Sequence, residues 1–156
     1  MAVLTRAQEE PVEISGNSET ILAEARSWLG TPWRHAAAVK GLRGGVDCAM
    51  LLARVYVDAG MVADFDPRPY SMQYFLHRSE PRYQTWVEKY ARKVTSALPG
   101  DVALFQFGRS LSHGGIYLGE DRIIHAWRVA GAVVETEMMA CPQLETRLGG
   151  FWRVGA

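Results

Sequence analysis

Residues 111–127 read LSHGGIYLGEDRIIHAW. Two runs within it, 112–119 and 122–127, are rich in apolar and β-branched residues, and the LGEDR between them is a tight-turn sequence, so the stretch reads as a β-hairpin. Each run carries one histidine, His113 and His125. Side chains alternate faces along a strand, so His113 shares a face with Gly115, and His125 with Ile123. If the hairpin pairs residues of the same parity, His125 falls opposite Gly115 and diagonal to His113, within ~7 Å and in reach of a large side chain. That needs an odd-length loop, such as Gly119 to Asp121, or a bulge. A two-residue loop alone would put the histidines on opposite faces. Gly114 and Gly115 leave room for a helix end or a substrate beside His113.

Outward from the hairpin, the chain has two halves. After the Pro99-Gly100 turn, DVALFQF (101–107) reads as a strand, as do GAVVETEM (131–138) and GFWRV (150–154). Upstream the periodicity is helical. NSETILAEARSWLG (17–30) has Ser18 as a candidate cap, a stripe of Ile21, Leu22, Ala25, Trp28 and Leu29, and a terminating Gly30. Residues 31–45 have no clean period, and Gly44-Gly45 reads as a flexible or tight turn. From Asp47 to Gly60 a helix is expected that is apolar nearly all round, as for one buried in a core. FDPRPYS (65–71) is a loop. Residues 71–93 read as one or two surface helices broken near Pro81, with Tyr74, Phe75, Tyr83, Trp86 and Tyr90 packing on the body. Residues 1–16 lack periodicity and are expected to be a flexible arm, leaving 17–156 as one domain. Helices first and a meander of strands after argue for an α+β domain with an antiparallel sheet rather than a βαβ repeat.

The 156 residues are 48% hydrophobic and 22% charged, with seventeen basic residues against seventeen acidic. A balanced charge predicts no nucleic-acid partner, and no apolar run is long enough for membrane insertion. The N-terminus has no signal-peptide core, so synthesis in the cytoplasm is expected. Two cysteines, Cys48 and Cys141, are too far apart for a local metal site and too few for a disulfide scaffold. Cys141, next to Pro142, reads as an ordinary thiol.

Cys48 is different. It falls in the first turn of the second helix, where unpaired N–H groups and the helix dipole favour an anion, and the thiolate is cysteine's reactive form. The competing reading is a small buried hydrophobe. Asp47 is suited to cap that helix; a carboxylate beside a thiolate does not activate it. A thiolate nucleophile needs a base. His35 in a loop and His77 in a surface helix read as structural, whereas His113 and His125 could touch, one as base and one holding its tautomer.

At these residues the chain resembles the NlpC-type papain-like cysteine endopeptidases of the bacterial cell wall. The segment ARSWLGTPWRHAAAVKGLRGGVDCAMLL (25–52) is similar to the family's opening helix, loop and nucleophile helix. LPGDVALF (98–105) is similar to its first strand, and the 111–127 hairpin to its histidine hairpin. The resemblance spans about residues 23–136. It implies a papain-like domain in which Cys48 is the nucleophile, His113 the base and His125 the orienting third residue. Trp33, Asp47, Ser112 and Gly114 would lie along the substrate cleft. The implied substrate is the peptidoglycan stem peptide, cut between D-glutamate and the following diamino acid, without metal or cofactor.

GTPWRHAAAVKG (30–41) further resembles the subset carried by tailed phages and prophages. This implies phage-tail or tail-like particle subunits as partners and delivery to the cell-wall compartment by the particle. Two positions depart from the family pattern. Trp33 stands where a tyrosine is usual, whose hydroxyl helps order the site; an indole N–H can donate but not accept. Met50 replaces a glycine, and would either narrow the cleft or pack into the core. These departures keep two alternatives open: a weak or inactive tail-assembly or peptidoglycan-binding module, and an amidase or acyltransferase on the same Cys-His-His site. Residues 61–97 match no part of the family core and would form a lid or a docking surface.

Overall fold

The computed structural model describes residues 16–70 and 82–155. All of the expected arm but Gly16 falls outside them, as do His77, Tyr74 and Phe75. The elements run α1 (Gly16–Ser27), β1 (Ala38–Val39), β2 (Gly45–Val46), α2 (Cys48–Asp58), α3 (Arg82–Tyr90) and β3 (Ala91–Val94). They continue with β4 (Val102–Phe107), β5 (Ser110–Gly119), β6 (Arg122–Trp127), β7 (Ala132–Glu137), a 3₁₀ turn (Met138–Ala140), α4 (Pro142–Glu145) and β8 (Leu148–Val154). Six strands form one antiparallel sheet in the order β3-β8-β4-β5-β6-β7. The α+β architecture read from the sequence is the one observed.

The period-two pattern of the strands sorts the core into two layers. Val102, Leu104, Ile116, Ile124 and Ala126 pack with α1 and with α2, whose Leu51, Leu52 and Val55 are buried. Ala103, Phe105 and Ile123 turn to the other face, where Met138 and Leu144 cover them. The stripe of α1 is as expected except at Leu29, 41% exposed in the turn after the helix. Ser18 lies inside the first turn and is not the cap, because the helix already begins at Gly16.

One further expectation changes. The helix expected up to residue 93 ends at Tyr90. Residues 91–94 instead form β3, an edge strand paired with β8 from Ala91↔Val154 to Val94↔Phe151. A two-sided apolar signal is missing there because an edge strand buries little, and Arg92 and Lys93 are exposed. Gly44 closes the expected tight turn, its N–H bonded to the Gly41 carbonyl at 2.9 Å, and neither Gly44 nor Gly45 has a positive φ. A Cβ on Gly44 would sit 1.8 Å from the Val39 carbonyl oxygen, and one on Gly45 2.7 Å from Arg34 Cβ. The glycines are required for close approach in the small β1–β2 ladder that delivers the chain to α2.

The β5–β6 hairpin resolves the parity question. Its connection is a two-residue turn, Glu120-Asp121, with φ of +51° and +65°, between paired Gly119 and Arg122. The register shifts between Tyr117 and Gly119, so Ile116 pairs with Ile124. The bulge restores equal parity, and both histidines share a face.

Candidate active site

Cys48 is the first residue of α2 and is 6% exposed. Asp47 precedes it in extended conformation and caps the helix: its Oδ1 accepts from Met50 N–H at 2.9 Å. Its other oxygen, Oδ2, accepts from Ala36 N–H at 2.7 Å and from the Tyr70 hydroxyl at 2.6 Å. His35 Nδ1 lies 3.9 Å from the same oxygen. At 1% exposure, with both oxygens engaged inside the protein, Asp47 is built as the anchor of the nucleophile turn. Ala36 is held at φ +53°, a left-handed conformation that the bond to Asp47 helps pay for.

The segment 61–70 is strapped over this turn. Besides Tyr70, Arg68 donates to the Ala36 carbonyl at 3.2 Å, and His35 Nε2–H donates to the Tyr70 carbonyl at 3.1 Å. The bidentate partner of Arg68 is Asp66, whose pKa its hydrogen bonds lower to about 2. Phe65 stacks on Tyr90 of α3 at 4.5 Å between ring centroids. Met50 is 1% exposed and lines, with Arg54, Asp64, Phe65, Asp66 and Arg68, the space under this strap. Of the two outcomes for the Met50 side chain, packing inward is the one observed.

On the hairpin, His113 Nε2 and His125 Nδ1 are 2.8 Å apart, and His125 Nε2 is 2.8 Å from Thr136 Oγ1 on β7. His125 is fully buried, and burial lowers its pKa to about 3, so it is neutral at neutral pH. A neutral imidazole donates from one nitrogen and accepts at the other. With Thr136 accepting from Nε2–H, His125 Nδ1 accepts from His113 Nε2–H. His113 then keeps its proton on Nε2 and its basic lone pair on Nδ1. The pair is walled by aromatic rings: Trp127 stacks on His125 at 5.1 Å, and Phe105, Phe107 and Trp127 all contact His113. Gly115 is needed for this approach, because a Cβ there would be 3.0 Å from His125 Cβ and 2.9 Å from the Ile124 carbonyl.

Gly114 faces the opposite way from His113, toward the helices. A Cβ there would be 2.9 Å from Leu104 Cδ2, 2.9 Å from the Tyr83 hydroxyl and 3.1 Å from Leu52 Cδ1. The Tyr83 hydroxyl in turn donates to the Cys48 carbonyl at 3.2 Å. Cys48 and the β5 step that carries His113 therefore meet through one hydroxyl of α3. Ser112 is buried, and its hydroxyl donates to the Phe107 carbonyl at 3.3 Å across the β4–β5 turn. Trp33 is half-buried, with the Arg128 guanidinium 5.3 Å from its ring and its backbone N–H bonded to Gly131 O.

Of the residues singled out along the cleft, only Trp33 keeps substantial exposed surface. Thr136 and Tyr70 escaped the sequence reading, and Tyr83, expected to pack on the body and 4% exposed, was not foreseen in contact with Cys48. Thr136 had a signal: it is two residues from Val134, the partner of His125, and so lies on the histidine face. The tyrosines had none locally. Among the described residues no cluster of three or more His, Cys, Asp or Glu side chains is arranged to hold a metal ion.

The profile of the NlpC/P60 family matches residues 30–153. A protein of Mycobacterium tuberculosis named "Probable endopeptidase" is 26% identical over 117 residues, 75% of this chain and 25% of its own length. The chain thus spans about a quarter of that curated relative. Among solved structures, the NlpC/p60 domain of the peptidoglycan hydrolase SagA superposes with a TM-score of 0.55 at 21% identity, covering 86% of this chain and 96% of that one. RipD of M. tuberculosis, described as a non-catalytic NlpC/p60 protein adapted to peptidoglycan binding, superposes with a TM-score of 0.56 at 16% identity, covering 88% and 96%.

Proposed function

Because the chain belongs to the NlpC/P60 family, we propose that it is a cysteine endopeptidase of peptidoglycan stem peptides, with Cys48 as nucleophile, His113 as base and His125 as its orienting partner. The bond cut is that between D-glutamate and the following diamino acid. The observation that carries this reading is the hydrogen-bonded line from His113 through His125 to Thr136. With Thr136 as the acceptor of this line, the basic lone pair of His113 lies on Nδ1, away from His125, which is the tautomer a third residue keeps.

In the first half-reaction His113 takes the Cys48 thiol proton. The sulfur attacks the amide carbonyl carbon, and backbone N–H groups at the α2 end stabilise the oxyanion. Collapse breaks the C–N bond as imidazolium His113 protonates the leaving amine. Water then loses a proton to His113 and attacks the thioester. The C–S bond breaks, releasing the glutamate carboxylate and restoring the thiol. Of the candidate cleft residues, Trp33 is the one suited to touch the peptide; Asp47, Ser112 and Gly114 act by holding the turn, the strand end and the Tyr83 contact. The resemblance of residues 30–41 to tail-borne members supports delivery on a phage or tail-like particle to the wall compartment.

Digestion of purified muropeptides, with the new termini identified by mass spectrometry, tests the activity. The parent is expected to release a new amino terminus on the diamino acid, and Cys48→Ala none. Release by neither would transfer the reading to a binding module of the kind RipD's description names, and equal release by both would refute Cys48 as the nucleophile. Peptide mass spectrometry of purified particles tests the delivery: presence in stoichiometric amount is expected, and consistent absence overturns it.

A further inference from the structure

Tyr83 lies on α3, away from the nucleophile helix and the histidine hairpin in sequence, yet its hydroxyl is in contact with the nucleophile's residue. It is 4% exposed and hydrogen-bonds Cys48 O at 3.2 Å. Only a glycine at 114 leaves room for it. Tyr70 also approaches this turn, but its proton is committed to Asp47 Oδ2 in a short 2.6 Å bond. The Tyr83 bond to a neutral carbonyl is longer and weaker, and its proton can swing about the C–O bond. At position 33 the indole ring carries Arg128 and offers no hydroxyl.

We propose that Tyr83 is the positioning residue of the nucleophile: its hydroxyl clamps the first turn of α2 to β5 at Gly114, and turns its proton to the Cys48 sulfur when the thiol ionises. This rests on the reading of Cys48 as the nucleophile. The thiol proton passes to His113, and Tyr83 donates without ever ionising. Burial, then the charge of Cys48 and of Asp47, hold the phenol well above its ordinary pKa. The titratable groups that face the Tyr83 hydroxyl are thus Cys48 and Asp47 on the nucleophile turn and Tyr70 from the strap.

The test is the pH profile of Cys48 alkylation by iodoacetamide in the full chain, read by peptide mass spectrometry so that Cys141 does not interfere. A hydrogen bond to a charged group accounts for about one pH unit. Tyr83→Phe, which keeps the ring, is expected to raise the midpoint by about that much and to slow alkylation about tenfold below it. In muropeptide digestion kcat falls and KM stays. A lowered melting temperature with an unmoved profile overturns the proposal, because a purely structural clamp acts that way. If Tyr83→Phe does not fold, 3-fluorotyrosine incorporated at position 83 strengthens the donor at nearly constant shape. It is expected to lower the midpoint, and an unmoved midpoint again overturns the proposal. Alkylation needs no substrate, so a shifted profile in a protein that cuts no muropeptide retains Tyr83's role and refutes the peptidase reading instead.

Discussion

Asp47→Asn is a sensitive probe of how the nucleophile turn is held. The carboxylate accepts three hydrogen bonds from Met50 N–H, Ala36 N–H and the Tyr70 hydroxyl. An asparagine has one acceptor oxygen and one NH₂ group. With its oxygen on Met50, the NH₂ faces Ala36 and Tyr70. The tyrosine hydroxyl can rotate and accept, but the Ala36 N–H cannot, and two donors oppose each other. With the amide flipped, Met50 N–H loses its cap instead. Either way one backbone donor at a buried site is orphaned, which costs about 1–3 kcal/mol. Asp47→Ala removes all three bonds and the cap, for about 3–5 kcal/mol. In urea unfolding, with a slope of roughly 2 kcal/mol/M, the asparagine variant should lose about 0.5–1.5 M in midpoint at unchanged slope. The Tyr70 bond is isolated by a double-mutant cycle: Tyr70→Phe is expected to cost about 1–2 kcal/mol in the parent and close to nothing in Asp47→Ala, which leaves the hydroxyl no partner at position 47. An unshifted midpoint for Asp47→Asn, or equal Tyr70→Phe costs in both backgrounds, would refute the account of Asp47 as a shared anchor.

Gly115→Ala puts a methyl 3.0 Å from His125 Cβ, so β6 must give way and the 2.8 Å histidine bond lengthens. A stability loss of about 1–3 kcal/mol is expected from overpacking, with a larger proportional loss of muropeptide turnover; unchanged turnover sinks the role given to Gly115. Thr136→Val deprives His125 Nε2–H of its acceptor, so imidazole ¹⁵N shifts should report loss of the single Nε2–H tautomer of His125, while Thr136→Ser retains it. Acid stability follows from His125. Its folded pKa, about 3, is below the unfolded value near 6.5. The unfolded state therefore binds the extra proton between those values, and stability falls as pH drops from 6.5 to 3, by at most about 4–5 kcal/mol. Urea midpoints of the parent should fall more steeply across that window than those of His125→Asn; parallel curves would contradict the buried neutral imidazole.

What the chain revealed before any coordinates depended on whether a feature was local. The hairpin strands, the buried second helix and the Asp47 cap are written in residues close in sequence, and periodicity finds them. The face shared by His113 and His125 was legible only as a condition, because parity hangs on one unpaired residue, Leu118, in a turn whose Glu and Asp adopt left-handed conformations more usual for Gly or Asn. The strand β3 was missed because its burial is one-sided and slight. The contacts of Tyr70 and Tyr83 were invisible for a different reason. Each tyrosine is 35 or fewer positions from Cys48 or Asp47, but the contact is made by a hydroxyl at the end of a rigid ring, and no spacing rule encodes that.

Trp33, Met50 and the segment after residue 60 then belong to one arrangement. A glycine at 50 would leave space above the first turn of α2. Met50 fills it, and the strap from Asp64 to Arg68 closes over the methionine. The strap brings Tyr70 to Asp47, and Phe65 ties the strap to Tyr90 of α3, the helix that supplies Tyr83. Position 33 thus offers no hydroxyl, and Tyr70 and Tyr83 bring two to the turn, one on the capping carboxylate and one on the nucleophile's own residue. If that coupling is real, Met50→Gly should loosen the strap and Tyr70 with it. It should make Cys48 more accessible to alkylation while shifting its pH midpoint less than Tyr83→Phe does, because Tyr83 reaches the turn from α3 and not through the strap.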